Sequence, residues 1–370
     1  MYVKKFLVSM TMFLFILLTA LPVWAEDSAK PNLTLNDAVA RALANSNAVK
    51  KATVEIDRTK WLREDAAEDI HFSPTTPPGD PATERAWANV VSADLTWRMT
   101  YKSLDIQEDS VVLSTCKKYW GIKQAIATLE TNKAAMKQAD LDLQKARVQR
   151  RVGLISDSDL ISAEAKFALA KSAADKAQND LDNGYVAFNQ TIGLSPQDRP
   201  VLTDELNLEP LDKDIDLNVA VNHVLEASPS VWLASEKVKI QEYAKDSMFY
   251  TGQYTPYMAR EDAVTQAMYD SMSAKEAAEL LTRNLYYSVR SLEFNCPAAE
   301  QAVKLAEEGL RVANVKYQVG MNTRADVAAA ESALVQAKKS LLDLKANHAY
   351  LKLAFQKPWA YSGGSSSGTD

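Results

Sequence analysis

From Leu160 to Phe188, apolar or small side chains recur at alternating steps of three and four: Leu160, Ala163, Phe167, Ala170, Ala174, Ala177, Leu181, Gly184 and Phe188. The same rhythm returns 167 positions later, at Val327, Ala330, Leu334, Ala337, Leu341, Leu344, His348, Leu351 and Phe355. A sustained heptad spacing predicts helices that wind around one another, and alanine in the seam lets their axes approach closely. A second helical run precedes each of these. The first covers about 104–151. The second covers about 261–318, where Val303, Ala306, Leu310, Ala313 and Tyr317 step by three and four. At 1.5 Å per residue such helices reach about 70 to 85 Å. Pro297 falls inside the second and should kink it, because its ring removes a backbone donor.

Between the two runs of each pair stands a Val-Gly dipeptide, Val152-Gly153 and Val319-Gly320. Glycine there supplies a left-handed helix cap, and Ser156 or Thr323 can start the returning helix. The same offset superposes Asp159 on Asp326 and Ala163-Glu164 on Ala330-Glu331. One unit, a helical hairpin with a tight tip, is therefore present twice. The starts of the copies also match: Leu35-Asn36 with Leu217-Asn218, and Asn45-Ser46 with Ala227-Ser228, at an offset of 182. Thr34 with Asp37 three positions on has the form of a capping box. The second copy is thus about fifteen residues shorter between its start and its tip. The expected class is mainly all-α: two tandem long helical hairpins, with at most a small or degenerate strand region.

The chain ends modify this outline. Lys4 and Lys5, an apolar run from Phe6 to Leu21 and then Val23-Trp24-Ala25 read as a secretory signal peptide cleaved after Ala25. No other stretch approaches the eighteen or so apolar residues of a spanning helix. The first repeat is placed at 26–200 and the second at 201–360, with 361–370 a flexible Gly/Ser tail. Strand-like inserts are expected at about 69–103 and about 248–260. In the first, Trp87, Val91, Leu95, Trp97, Met99 and Tyr101 fall on one face of an alternating pattern and are candidates for a lipid-facing strand. Its partner around 69–72 is short and runs into four prolines, and the second insert shows no sustained alternation.

Charge and chemistry narrow the function. Forty-eight acidic against 42 basic side chains disfavour nucleic acid as a partner. Cys116 and Cys296 have no metal-binding spacing and read as small buried hydrophobes. His71, His223 and His348 are scattered, and His348, on the heptad seam, reads as a satisfied core histidine. No nucleophile elbow, phosphate-cradling loop or dinucleotide fingerprint is present, so neither catalysis nor a cofactor is expected.

The order of motifs now carries a resemblance. A helix opens with Leu-Thr-Leu-Asn-Asp-Ala-Val-Ala-Arg-Ala-Leu-Ala-Asn-Ser, an insert follows, and a long hairpin turns at Arg-Val-Gly-Leu-Ile-Ser-Asp-Ser-Asp-Leu, the whole twice over. This resembles the TolC-like outer-membrane efflux family, over nearly all of the chain beyond the signal. The resemblance implies a homotrimer whose hairpins form a hollow helical barrel across the periplasm, with strands from the inserts in the outer-membrane lipid. It also implies a passive conduit working with a periplasmic adaptor and an inner-membrane pump to export small molecules or proteins. By position, Gly153, Asp157, Asp159, Gly320, Thr323, Arg324 and Asp326 match the gate and adaptor-docking tips of that family. Where relatives carry a basic residue after the second tip glycine, this chain has Asn322, with Arg324 two positions later. The weak strands keep a second expectation in view: a non-transporting coiled-coil scaffold or adaptor of the cell envelope.

Overall fold

The computed structural model describes residues 32–70, 81–212, 215–246 and 257–361. The expected signal peptide, residues 71–72 of the partner strand, most of the second insert and nearly all of the tail lie outside them. Eight α-helices are found among the described residues. They are α1 (Leu35–Asn45), α2 (Asn47–Glu68), α3 (Pro81–Arg151), α4 (Asp157–Ile192), α5 (Leu217–Ala227), α6 (Pro229–Asp246), α7 (Tyr257–Gln318) and α8 (Arg324–Gln356). A 3-10 turn follows at Pro358–Ala360. Two short strands, β1 (Asn32–Leu33) and β2 (Val201–Leu202), pair in parallel and stitch the start of the first repeat to the linker after it.

Each repeat is built from the same four helices, started by the same caps. Thr34 forms the expected capping box with Asp37 at α1, and Asp216 accepts from two backbone N–H groups at α5. Ser46 ends α1 and opens α2, and Ser228, 182 positions on, separates α5 from α6 in the same way. The fifteen-residue shortfall is now located. Four residues are missing from α6 (18 against 22 in α2) and nine from α7 (62 against 71 in α3), with the remainder in the connection between them. At 1.5 Å per residue α3 and α7 are about 106 and 93 Å long, longer than the sequence pattern suggested. Helix α7 runs on through Pro297.

The lengthening of α3 corrects one expectation. Residues 81–103 are helix, and Trp87, Val91, Leu95, Trp97, Met99 and Tyr101 lie on it rather than on a strand. The physical reason is a second periodicity hidden under the alternation. Asp94, Trp97 and Tyr101 share a face only at helical spacing, and that face docks on α2. Arg63 of α2 binds Asp94 at 2.7 Å and lies 4.9 Å from the Trp97 ring, Trp97 meets Tyr101 edge-on at 5.3 Å, and Thr59 and Thr100 share a hydrogen bond of 3.1 Å. What remains between helices is 69–80 in the first repeat and 247–256 in the second. Each is about as long as one membrane strand, whereas two strands and a turn need about twice that.

The four long helices lie side by side in the order α4, α3, α8, α7: α3 packs on both α4 and α8, and α8 packs on both α3 and α7. The core is duplicated in its details. Tyr119 meets Phe188 at 6.1 Å in the first hairpin, and their equivalents Tyr286 and Phe355 meet at 5.9 Å in the second. Thr115 and Thr282, both fully buried, spend their hydroxyls on the carbonyls one turn back, those of Val111 and Ala278. Even the linker anchors correspond: Lys123 donates to the carbonyl of Asp204, and its equivalent Arg290 donates to those of Leu211 and Asp212. Both cysteines are buried and unpaired, and burial pushes the Cys116 thiol up to about 11.

Candidate functional site: the two hairpin tips

At the first tip, α3 ends in a left-handed glycine. Gly153 has φ +77°, its N–H donates to the carbonyl of Arg150 (3.0 Å), and the Leu154 N–H reaches back to that of Gln149 (2.8 Å). The second tip repeats this: Gly320 has φ +78°, with donors from Gly320 to Tyr317 (3.0 Å) and from Met321 to Lys316 (2.8 Å). These paired bonds satisfy carbonyls that a helix end leaves without partners, and a side chain at either glycine would be strained. Three residues later the chain turns back into a capping box. The Ser156 hydroxyl accepts from the Asp159 N–H (3.2 Å), while the Asp159 carboxylate accepts from the Ser156 N–H (3.0 Å) and hydroxyl (2.7 Å). Thr323 and Asp326 do the same, with the carboxylate accepting at 2.7 and 2.8 Å.

The predicted tip residues are therefore brought together in two equivalent sets, but not all are equally available. Asp159 and Asp326 aim their carboxylates at their own helix starts, which hold them below the ordinary aspartate range: through the Ser156 hydroxyl and then its N–H, and through the Thr323 N–H and then its hydroxyl. Asp157 is clamped by both arms of Arg150 (2.6 and 2.9 Å), and that guanidinium lowers it too. The second tip differs at these two positions. Arg150 is replaced by Tyr317 and Asp157 by Arg324, whose Nε donates to the Tyr317 hydroxyl at 3.2 Å. The sequence reading missed Arg150 and Tyr317; the 167-residue offset, applied seven residues before each cap partner, points to both. Asn322 gives its N–H to the carbonyl of Lys316 (3.2 Å).

Around these polar locks the tips are apolar. Val152, Leu154, Val319 and Met321 are all well exposed, on the two capped turns. Such a surface can hold a partner by burial while the charged groups set orientation; among the described residues no cluster suited to a metal ion occurs.

Comparison with known proteins extends the likeness beyond the tips. No protein-family model matches the chain. It is 24% identical over 302 residues to outer membrane protein TolC of Salmonella enteritidis, covering 68% of this chain and 60% of that protein. The chain is TolC-like. Its fold is that of solved outer-membrane channels. VceC of Vibrio cholerae superposes with a TM-score of 0.63 at 17% identity, over 87% of this chain and 94% of VceC. The CmeC outer membrane channel of Campylobacter jejuni gives 0.63 at 13%, over 88% and 85%. The chain spans about 60% of the length of the Salmonella TolC it matches. Among its described residues no helix is long and apolar enough to cross a membrane.

Proposed function

We propose that the protein is a subunit of a passive, trimeric conduit of the cell envelope, not an enzyme, working with a periplasmic adaptor and an inner-membrane pump in export. The observation that carries this reading is the duplicated pair of capped tips at the ends of long hairpins. Both turns are capped, both expose apolar side chains, and both match by position the tips at which, by resemblance, the TolC-like family meets its partners. In a trimer, Asp157, Asp159 and Asp326 with their copies would place carboxylates near one end of the axis and favour cations there. The caps limit how far Asp159 and Asp326 can reach, so the aspartate with the most freedom to act in the pore is Asp157 once Arg150 is drawn away.

The helical state of 81–103 favours a second reading, a scaffold that keeps the hairpins and does not conduct. One experiment separates them: the purified protein in mild detergent, imaged as single particles and reconstituted in a planar bilayer. Trimers that insert and conduct, with conductance altered by Asp157→Asn, support the conduit. Assemblies that never conduct leave the scaffold.

A further inference from the structure

On one face of the row, α3 and α7 bracket α8 and leave an open groove of about 790 Å³ between them. That size lies within the range of small-ligand pockets, about 300 to 1,000 Å³. Equivalent positions of the two repeats form its walls, since Trp120 of α3 and Tyr287 of α7 stand 167 residues apart. Each ring is held the same way, edge-on to a neighbour in its own hairpin: Trp120 to Tyr119 at 4.9 Å, and Tyr287 to Tyr286 at 5.5 Å. The aromatic floor belongs to the second repeat alone. Tyr350 of α8 and Tyr361 just beyond it meet at 5.9 Å, where the first repeat has Asn183 and Leu194. Both rest against the second core on one side and line the groove on the other, whereas Tyr287, 60% exposed, owes little to packing.

Polar groups stand among the rings. Three side-chain amides, those of Gln124, Asn284 and Asn347, line the groove, and none is spent on a hydrogen bond among the described residues. The Lys117 ammonium lies 5.5 Å from the centroid of the Tyr350 ring and has no carboxylate partner among the described residues. No acidic side chain lines the groove.

This lining narrows the ligand. A flat apolar compound would cover the rings and take water from the amides without replacing it. A nucleic acid needs cations in number to neutralise its phosphates, and the groove has one. A peptide docks by pairing with a sheet edge or by laying an apolar face into an apolar groove, and this site is neither. A chain of pyranose sugars offers what remains: C–H faces that lie flat on aromatic rings, and hydroxyl edges that an amide meets as donor and acceptor together. A carboxylate on such a sugar would give Lys117 its partner. We propose that the groove binds a short oligosaccharide whose sugars carry carboxylates. Trp120, Tyr287 and Tyr350 take the sugar faces, the amides take the hydroxyls, and Lys117 takes a carboxylate. The site needs neither a trimer nor conductance, so it stands or falls apart from the conduit reading.

Calorimetric titration of the full protein in mild detergent tests this with two acidic probes. One is tetragalacturonate, a soluble uronic acid chain; the other is the alternating N-acetylglucosamine and N-acetylmuramic acid tetrasaccharide of the cell wall. The tighter of the two identifies the source of the sugar. Chitotetraose, which keeps the second backbone without its carboxylates, should bind about tenfold more weakly. Tyr287→Ala should weaken the acidic probes and chitotetraose alike by about tenfold, while Lys117→Gln should weaken only the acidic probes and bring the wall tetrasaccharide level with chitotetraose. Both residues are exposed, and an unchanged unfolding midpoint shows that the variants keep the fold. Failure of both acidic probes to bind overturns the proposal. So does binding that neither substitution changes, which puts the sugar elsewhere, and so does chitotetraose binding as tightly as the acidic probes.

Discussion

The two hairpins share an aromatic layer and differ in the one beside it, and the difference shows what each is asked to hold. In the first, Ile126 faces the hairpin interior with Leu181, an apolar pair beside Tyr119 and Phe188. In the second, the equivalent positions are Glu293 and His348, 3.2 Å apart, the histidine buried and the glutamate partly so. Glu293 also accepts from the Leu211 N–H at 2.6 Å and from Arg290 at 2.8 Å. Burial works against its charge, yet the Leu211 N–H, Arg290 and His348 outweigh it and keep its pKa lowered. The first hairpin is closed by packing. The second is closed by packing and by a polar clasp that fixes the incoming linker, so its specificity comes with a requirement for complete partners.

The sharpest test of the shared core is to empty it twice. Phe188→Ala should cost about 4 kcal/mol and Phe355→Ala rather less, because Phe188 is wholly buried and Phe355 touches solvent. Equilibrium unfolding in denaturant measures both, and equal losses would mean that the two aromatic layers are interchangeable. Breaking the clasp comes next. Glu293→Ala leaves His348 and the Leu211 N–H without their acceptor, takes the ion-pair partner from Arg290, and should cost about 3 kcal/mol. Installing the first hairpin's pair, Glu293→Ile with His348→Leu, should recover part of that loss, leaving the Leu211 N–H as the main unsatisfied group. If the double substitution is as damaging as the single, the layers are not alternatives on one frame.

At the tips the copies agree, so equal effects are expected. Gly153→Ala and Gly320→Ala each force a side chain into the left-handed region and should cost about 1 kcal/mol, seen as a lowered unfolding midpoint. A cost at one tip alone would show that the other relaxes out of its left-handed turn.

Much of this was readable from residue spacing because the repeat is written in side chains that spacing constrains. The tip glycines, the serine and threonine caps with an aspartate three residues on, and the heptad seams all recur at one offset, and the structure has them in those roles. His348 was legible as a buried histidine, but its partner was not. Glu293 stands between Leu292 and Phe294 in a stretch of α7 of mixed character, and only its equivalence to Ile126, with His348 equivalent to Leu181, exposes a paired exchange of apolar for polar. The strand expected around Trp87–Tyr101 failed for a different reason. Over a dozen residues an alternating pattern and a helical one can share most of their apolar positions, and the decision falls to tertiary partners such as Arg63 and Thr59 on α2.

The smallest expected effect separates the tips by pH. Asp157 and Asp159 at the first tip, and Asp326 at the second, all have pKa values lowered by partners present only in the folded turn. Their contribution is complete above the unfolded aspartate value, about 3.9, and is lost as pH falls through the lower folded values. The first tip loses two such groups, including the Arg150 clamp. The second loses one, because the counterpart of Asp157 there is Arg324, a guanidinium that stays charged throughout and is raised further by its contact with Tyr317. Acid should therefore loosen the first tip more, as read by carboxylate and backbone NMR shifts of residues 150–160 against 317–327. Asp157→Asn should remove most of the difference. Equal acid responses in the parent protein would mean that the Arg150–Asp157 clamp contributes nothing to holding the first turn, and that the capping boxes alone hold both.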